Sequence, residues 1–190
     1  MIAPSPPQRL WPHPTTVCPD VQALHVRVSQ TPEGAWHLRY ELASDLDALR
    51  LPAVDEAPGA RDELWRHTCF EAFAGRADSS SYHEFNLSPA GHWAAWRFGA
   101  ERVRRFGAPA LPAPRLECHR AERLLTLDAW LPAAALPEGD GEHVLGLCAV
   151  VESANGRLSY WALAHPRAQP DFHDRRGWLA RGPATGDTTS

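Results

Sequence analysis

The chain has 190 residues, of which 44% are hydrophobic and 22% charged, proportions that fit one globular domain and exclude a fibrous repeat, wholesale disorder and a membrane bundle. Its 23 acidic residues against 19 basic ones leave a formal charge of -4 with no dominant basic patch, so nucleic acid is not an expected partner. Every basic residue is Arg, which removes lysine Schiff-base and P-loop chemistry.

The first segment, 1–19, is rich in proline and lacks the basic start and apolar run of a secretory signal, so a cytoplasmic location is expected. A single domain is expected over 20–181, followed by a small, polar tail, 182–190, expected to be flexible. No apolar stretch is long enough for a spanning helix, so no membrane partner is expected. Cys18, Cys69, Cys118 and Cys148 form no C-x-x-C pair and read as reduced thiols.

From Leu24 the sequence alternates with period two through Val26 and Val28, turns at Thr31 to Gly34, and alternates again through Trp36, Leu38, Tyr40 and Leu42. That is a hairpin with one buried face. Further strands are expected at Thr68 to Ala74, Ser81 to Ser88, His92 to Phe98, Arg115 to Arg120, Leu124 to Leu131, Val144 to Glu152 and Arg157 to His165. Helical turns fit only at Asp45 to Leu51, Asp62 to Trp65 and Pro132 to Ala135. Nine or more short strands without crossover helices predict an all-β antiparallel sandwich of jelly-roll type. Its expected core includes Val28, Leu38, Phe70, Phe85, Trp96, Leu127, Leu147 and Val151.

The three strands from Thr68 to Phe98 carry the functional signal. Alternation places Phe70, Ala72 and Ala74, then His83, Phe85 and Leu87, then Ala94, Trp96 and Phe98 toward the core. The opposite face then holds Cys69, Glu71 and Phe73, Tyr82, Glu84 and Asn86, and Trp93, Ala95 and Arg97. Aromatics among carboxylates on an outer face imply either a covering layer or a ligand surface. Glu71 and Glu84 are expected nearly opposite each other, a repulsive arrangement that Arg97 would relieve by pairing with one of them. The pair is open to three readings: a structural ion pair, an acceptor for ligand hydroxyls, or the two carboxyls of a glycoside hydrolase. Near the C-terminus His165, Asp171 and His173 could lock a turn, touch a ligand or hold a structural metal ion.

The run from Asp62 to Ala74, with Trp65, Glu71 and Phe73 spaced W-x(5)-E-x-F, precedes Tyr82 to Gly91, which reads Y-x-E-F-N-x-S-P-x-G. Together they resemble the DOMON-like superfamily and the family 9 carbohydrate-binding modules within it. The resemblance spans about Trp36 to Leu179. It implies a β-sandwich whose concave side takes a sugar or haem, with Trp65 as stacking aromatic and Glu71 as acceptor of sugar hydroxyls. Arg97 and Trp161 are looser matches to the family's pattern. Haem-binding members use a Met ligand, and the sole Met of this chain is Met1. The expected function is therefore non-catalytic binding of a sugar-like small molecule without a cofactor, by Trp65, Glu71, Tyr82, Glu84, Asn86, Arg97, Trp161 and His173; haem binding and glycoside hydrolysis are the alternatives.

Overall fold

A computed structural model describes residues 6–55 and 57–182. The tail, beyond Gly182, lies outside the described residues. Twelve strands run β1 (Gln8–Pro12), β2 (Val21–Gln30), β3 (Trp36–Ser44), β4 (Cys69–Arg76), β5 (Tyr82–Leu87), β6 (Trp93–Ala100), β7 (Val103–Arg104), β8 (Arg115–Ala121), β9 (Leu124–Leu131), β10 (His143–Glu152), β11 (Leu158–Ala162) and β12 (Ala180–Arg181). Helical structure among the described residues is confined to single 3-10 turns, three of them within the segments expected from sequence or one residue beyond. The fourth, Arg175–Gly177, is capped by Asp174, whose side chain accepts from the Arg176 amide.

All the strands pair antiparallel, in the order β7-β6-β5-β4-β10-β11-β1-β2-β3-β9-β8, with β12 added beside β10. The halves on either side of β1 fold over one another as the two layers of a sandwich. Proline-rich β1 is the seam between them. Gln8 to Leu10 pair with β2, whereas Trp11 and Pro12 pair with Ala162 and Trp161 of β11. The β2–β3 hairpin follows the period-two reading, with Val26, Val28, Leu38, Tyr40 and Leu42 all buried. Gly34, at φ +84°, supplies the left-handed residue of its turn.

The main core lies between the layers and joins Leu24, Leu38 and Leu127 from one to Phe70, Phe85 and Leu147 from the other. Tyr40 ties them together: its ring lies 5.0 Å from that of Phe70, and its hydroxyl donates to the Glu71 carbonyl at 2.8 Å. That bond is worth about 1 kcal/mol net. A second cluster lies on the outer side of the β4-containing layer, where Phe73, Tyr82, Trp96, Phe98 and Trp178 pack together. This outer cluster distinguishes the layer that carries the candidate site.

Two expectations about this layer are corrected. Tyr82 pairs with Phe98, Glu84 with Trp96 and Asn86 with Ala94, so Trp96 and Phe98 share the outer face with the acids. Arg97 pairs with His83 and belongs to the other side. The physical reason is the five-residue connection from Ser88 to His92, closed by the Ser88 amide donating to the His92 carbonyl, which sets the register one residue away from the expected one. Between β4 and β5, Glu71 faces Asn86 and Glu84 faces Phe73, so the two acids are diagonal rather than opposite.

Candidate functional site

The outer face of β4, β5, β6, β10 and β11 is half covered by the chain from Pro166 to Gly182. Trp178 lies so close to β10 that a Cβ on Gly146 would stand 2.4 Å from its Cδ1; glycine there lets the indole rest on the backbone. The same indole donates to the Phe172 carbonyl at 2.8 Å. β12 then pairs with β10 at Val144 and Leu145. The covering segment stops short of the Glu71 end and leaves a cavity of about 380 Å³, near the lower end for small-molecule sites.

Glu71 and Glu84 line this cavity. Its aromatic lining comes from Trp65, Trp96, Phe73, Phe98, Tyr160 and Phe172, and Arg102, Arg104, Asp171 and His173 complete the polar part. Trp65, on the 3-10 turn Leu64–Arg66, is 41% exposed, and its ring meets the edge of Trp96 at 5.7 Å. Indole and carboxylate therefore face one space.

The two acids are differently held. Glu71 is 4% exposed, and its carboxyl has no hydrogen-bond partner among the described residues. Burial, reinforced by the Glu84 charge, raises its pKa well above the ordinary carboxylate value. Glu84 accepts from Asn86 Nδ2 at 2.7 Å. Burial pushes its pKa up to about 7, against the lowering effects of that hydrogen bond and of Arg104 and Arg102. The thiols of Cys69 and Cys148 on the same face are pushed up by burial and by Glu71, so they are protonated and unreactive.

His173 covers Glu84, with its Nε2 3.7 Å from Oε2. Burial, with the Arg102 charge, lowers its pKa to about 4, while burial raises that of Tyr82 to about 12. Both are neutral near pH 7. The Tyr82 oxygen accepts from the Arg102 amide at 3.1 Å and lies 2.6 Å from His173 Nδ1. One short hydrogen bond thus ties the phenol to Nδ1, and Nε2 faces Glu84. Asp171 accepts from Arg102 at 2.7 Å and from the His173 amide at 3.1 Å, fixing the segment that presents the histidine.

Of the residues singled out from sequence, Trp65, Glu71, Glu84 and His173 line the cavity. Tyr82 and Asn86 are fully buried beside it and orient His173 and Glu84. The other two are misplaced by the sequence reading. Arg97 lies across the sheet, where it donates to the Pro109 carbonyl instead of holding Glu84. Trp161 belongs to the main core at 3% exposure, and its Nε1 donates to Ser159 Oγ at 2.9 Å. Its neighbour Tyr160, on the opposite side of β11, reaches the cavity instead. His165 is apart from Asp171 and His173, with its Nε2 bonded to the Trp11 carbonyl at 2.8 Å. Among the described residues no group of three or more His, Cys, Asp or Glu side chains is arranged to hold a metal ion. Trp96 and Phe98 were legible as aromatics but assigned to the wrong face; Arg102, Arg104 and Phe172 carried no periodic signal.

No protein-family model and no curated protein matches the chain. Among solved structures, its fold is similar to that of a "putative carbohydrate-binding protein" from Bacteroides uniformis ATCC 8492, with a TM-score of 0.61 and 16% identity over 95% of this chain and 84% of that one.

Proposed function

We propose that this protein is a small-ligand-binding module of the DOMON-like superfamily, related to the family 9 carbohydrate-binding modules, and that its cavity takes a sugar-like polyol. The observation that carries the reading is Glu71: a residue only 4% exposed whose carboxyl lines an aromatic-lined cavity and takes no hydrogen bond from the described side chains. A ligand hydroxyl in the cavity would give this carboxyl the donor that the surrounding side chains do not supply. Trp65 supplies a partly exposed indole for the apolar C–H side of a sugar ring, with Trp96 behind it. Glu71 and Glu84 accept from hydroxyls, Asn86 holds Glu84, and His173 lies beside them. The fold shared with the "putative carbohydrate-binding protein" supports the same choice of ligand class.

Titrating the protein with a panel of monosaccharides and disaccharides, followed by tryptophan fluorescence, tests this. At least one sugar should saturate, and Trp65→Ala should weaken it by more than about 1 kcal/mol while leaving the fold intact. Saturation by none of the panel would overturn the reading. One observation favours glycoside hydrolysis as a second reading: two carboxyls line the same cavity. That reading requires turnover of an aryl glycoside that Glu71→Gln abolishes; the binding reading expects no turnover.

A further inference from the structure

The polyol reading leaves the placing of two acids side by side unexplained. Glu71 and Glu84 are diagonal neighbours on one sheet face, 4% and 6% exposed, and among the described residues their one ion-pair partner is His173 beside Glu84, neutral near pH 7. Glu84 has a neutral amide donor in Asn86 and a histidine 3.7 Å away, and Glu71 has no partner. The positive groups at the mouth are engaged elsewhere. Arg102 binds Asp171 at 2.7 Å, and the Arg104 guanidinium lies 4.6 Å from the Trp96 ring centroid. A neutral sugar would satisfy lone pairs here but would leave two like charges buried together whenever both ionise. A compact cation would answer both, and the 41% exposed indole of Trp65 at the entrance attracts positive charge.

We propose, building on the small-ligand reading of this same cavity, that its ligand carries a protonated primary amine, seated between the carboxylates of Glu71 and Glu84 with the rest of the molecule against Trp65 and Trp96. The ligand class is thus an amino sugar or a similarly compact amino-polyol. The three ammonium hydrogens supply one for each carboxylate and one for a water or a ligand hydroxyl. Burial of the acids favours an ammonium over a bulkier guanidinium, because about 380 Å³ must also hold the ligand body. Glu84 accepts one hydrogen bond from Asn86 Nδ2 and keeps lone pairs for a bound amine.

The matched probes are glucosamine, glucose and N-acetylglucosamine, which differ only at one carbon, with 1,4-diaminobutane as an amine without hydroxyls. Binding is followed near pH 7 through the indole N–H signals of Trp65 and Trp96 in two-dimensional NMR. Glucosamine should bind at least about ten-fold tighter than glucose, and N-acetylglucosamine should lose that advantage. In Glu71→Gln, the glucosamine-to-glucose preference should fall to near one. Glucose binding as tightly as glucosamine would overturn the amine while leaving the polyol reading intact. Binding of 1,4-diaminobutane without any hexose would keep the amine and overturn the polyol. Failure of all four probes would overturn both.

Discussion

Single residues on the outer face divide into those that await a ligand and those that hold the first group in place. Trp65 and Trp161 show the difference most plainly. Trp65 is 41% exposed with one aromatic neighbour, whereas Trp161 is 3% exposed within the main core. Thermal denaturation should therefore show little loss for Trp65→Ala and a loss of about 3–5 kcal/mol for Trp161→Ala. The acids titrate with equal contrast. Glu84 ionises near 4.5 in the unfolded chain but near 7 in the fold, so the folded state holds the extra proton and its stability falls as pH rises through that window. His173, kept neutral down to about 4, acts in the opposite sense between its ordinary 6.5 and that value, because the unfolded chain then binds the proton. The wild-type curve mixes the two; comparison with Glu84→Gln separates them. The variant should be close to wild type at pH 4.5 and gain stability relative to it up to about pH 7, by an amount on the order of 3 kcal/mol for this buried group. A constant difference across that range would show that Glu84 is not desolvated.

At the scale of elements, the cavity exists because a covering segment closes only part of a sheet face. Trp178 is its anchor, resting on Gly146 and held to Phe172. Asp174 is its second fastening: it accepts from Arg167 at 2.7 Å and Arg176 at 2.5 Å, and these donors hold its carboxyl well below the usual range. Replacing Gly146 with Ala pushes a methyl into the indole ring, so Trp178 must move. Hydrogen exchange should then accelerate at the Trp178 indole and at Ala180, while β2 and β3 keep their protection. Unchanged exchange at Trp178 would show that the segment does not depend on this contact. The sheet beneath was largely legible from sequence. Period-two alternation marks β2, β3, β4 and β5 because each has one face against a continuous core. It failed at β6, where Trp93 and Trp96 make both faces aromatic and only the Ser88–His92 connection decides the side. β10, expected at Val144 to Glu152, is found at His143–Glu152 although its ten residues are all buried and carry no alternation; the unbroken apolar run marked it instead.

Across the whole molecule, β1 makes two layers into one pairing path. Leu10 is fully buried at the point where β1 passes from β2 to β11. Leu10→Ala should cost about 2–5 kcal/mol and shift a single cooperative unfolding transition, because the seam belongs to both layers. Proline content concealed this strand: Pro12 occupies its last position, where a sheet tolerates a missing donor, but in sequence the surrounding prolines mark a loop. The site was legible where its residues lie on regular strands or in the Trp65 motif, as with Glu71 and Glu84. It was illegible where the fold recruits residues from the β6–β7 turn and the covering segment, since Arg102 and Phe172 join the cavity only through tertiary packing. The claim that unites these scales is that the outer face of the β4-containing layer is a ligand pocket. Its most direct test is a sugar and amino-sugar titration that follows all the tryptophan indole N–H signals together. Saturable shifts at Trp65 and Trp96, with Trp36 and Trp161 unmoved, are the result expected. Signals at Trp65 and Trp96 that stay fixed, or a uniform shift of all the indoles without saturation, would contradict it.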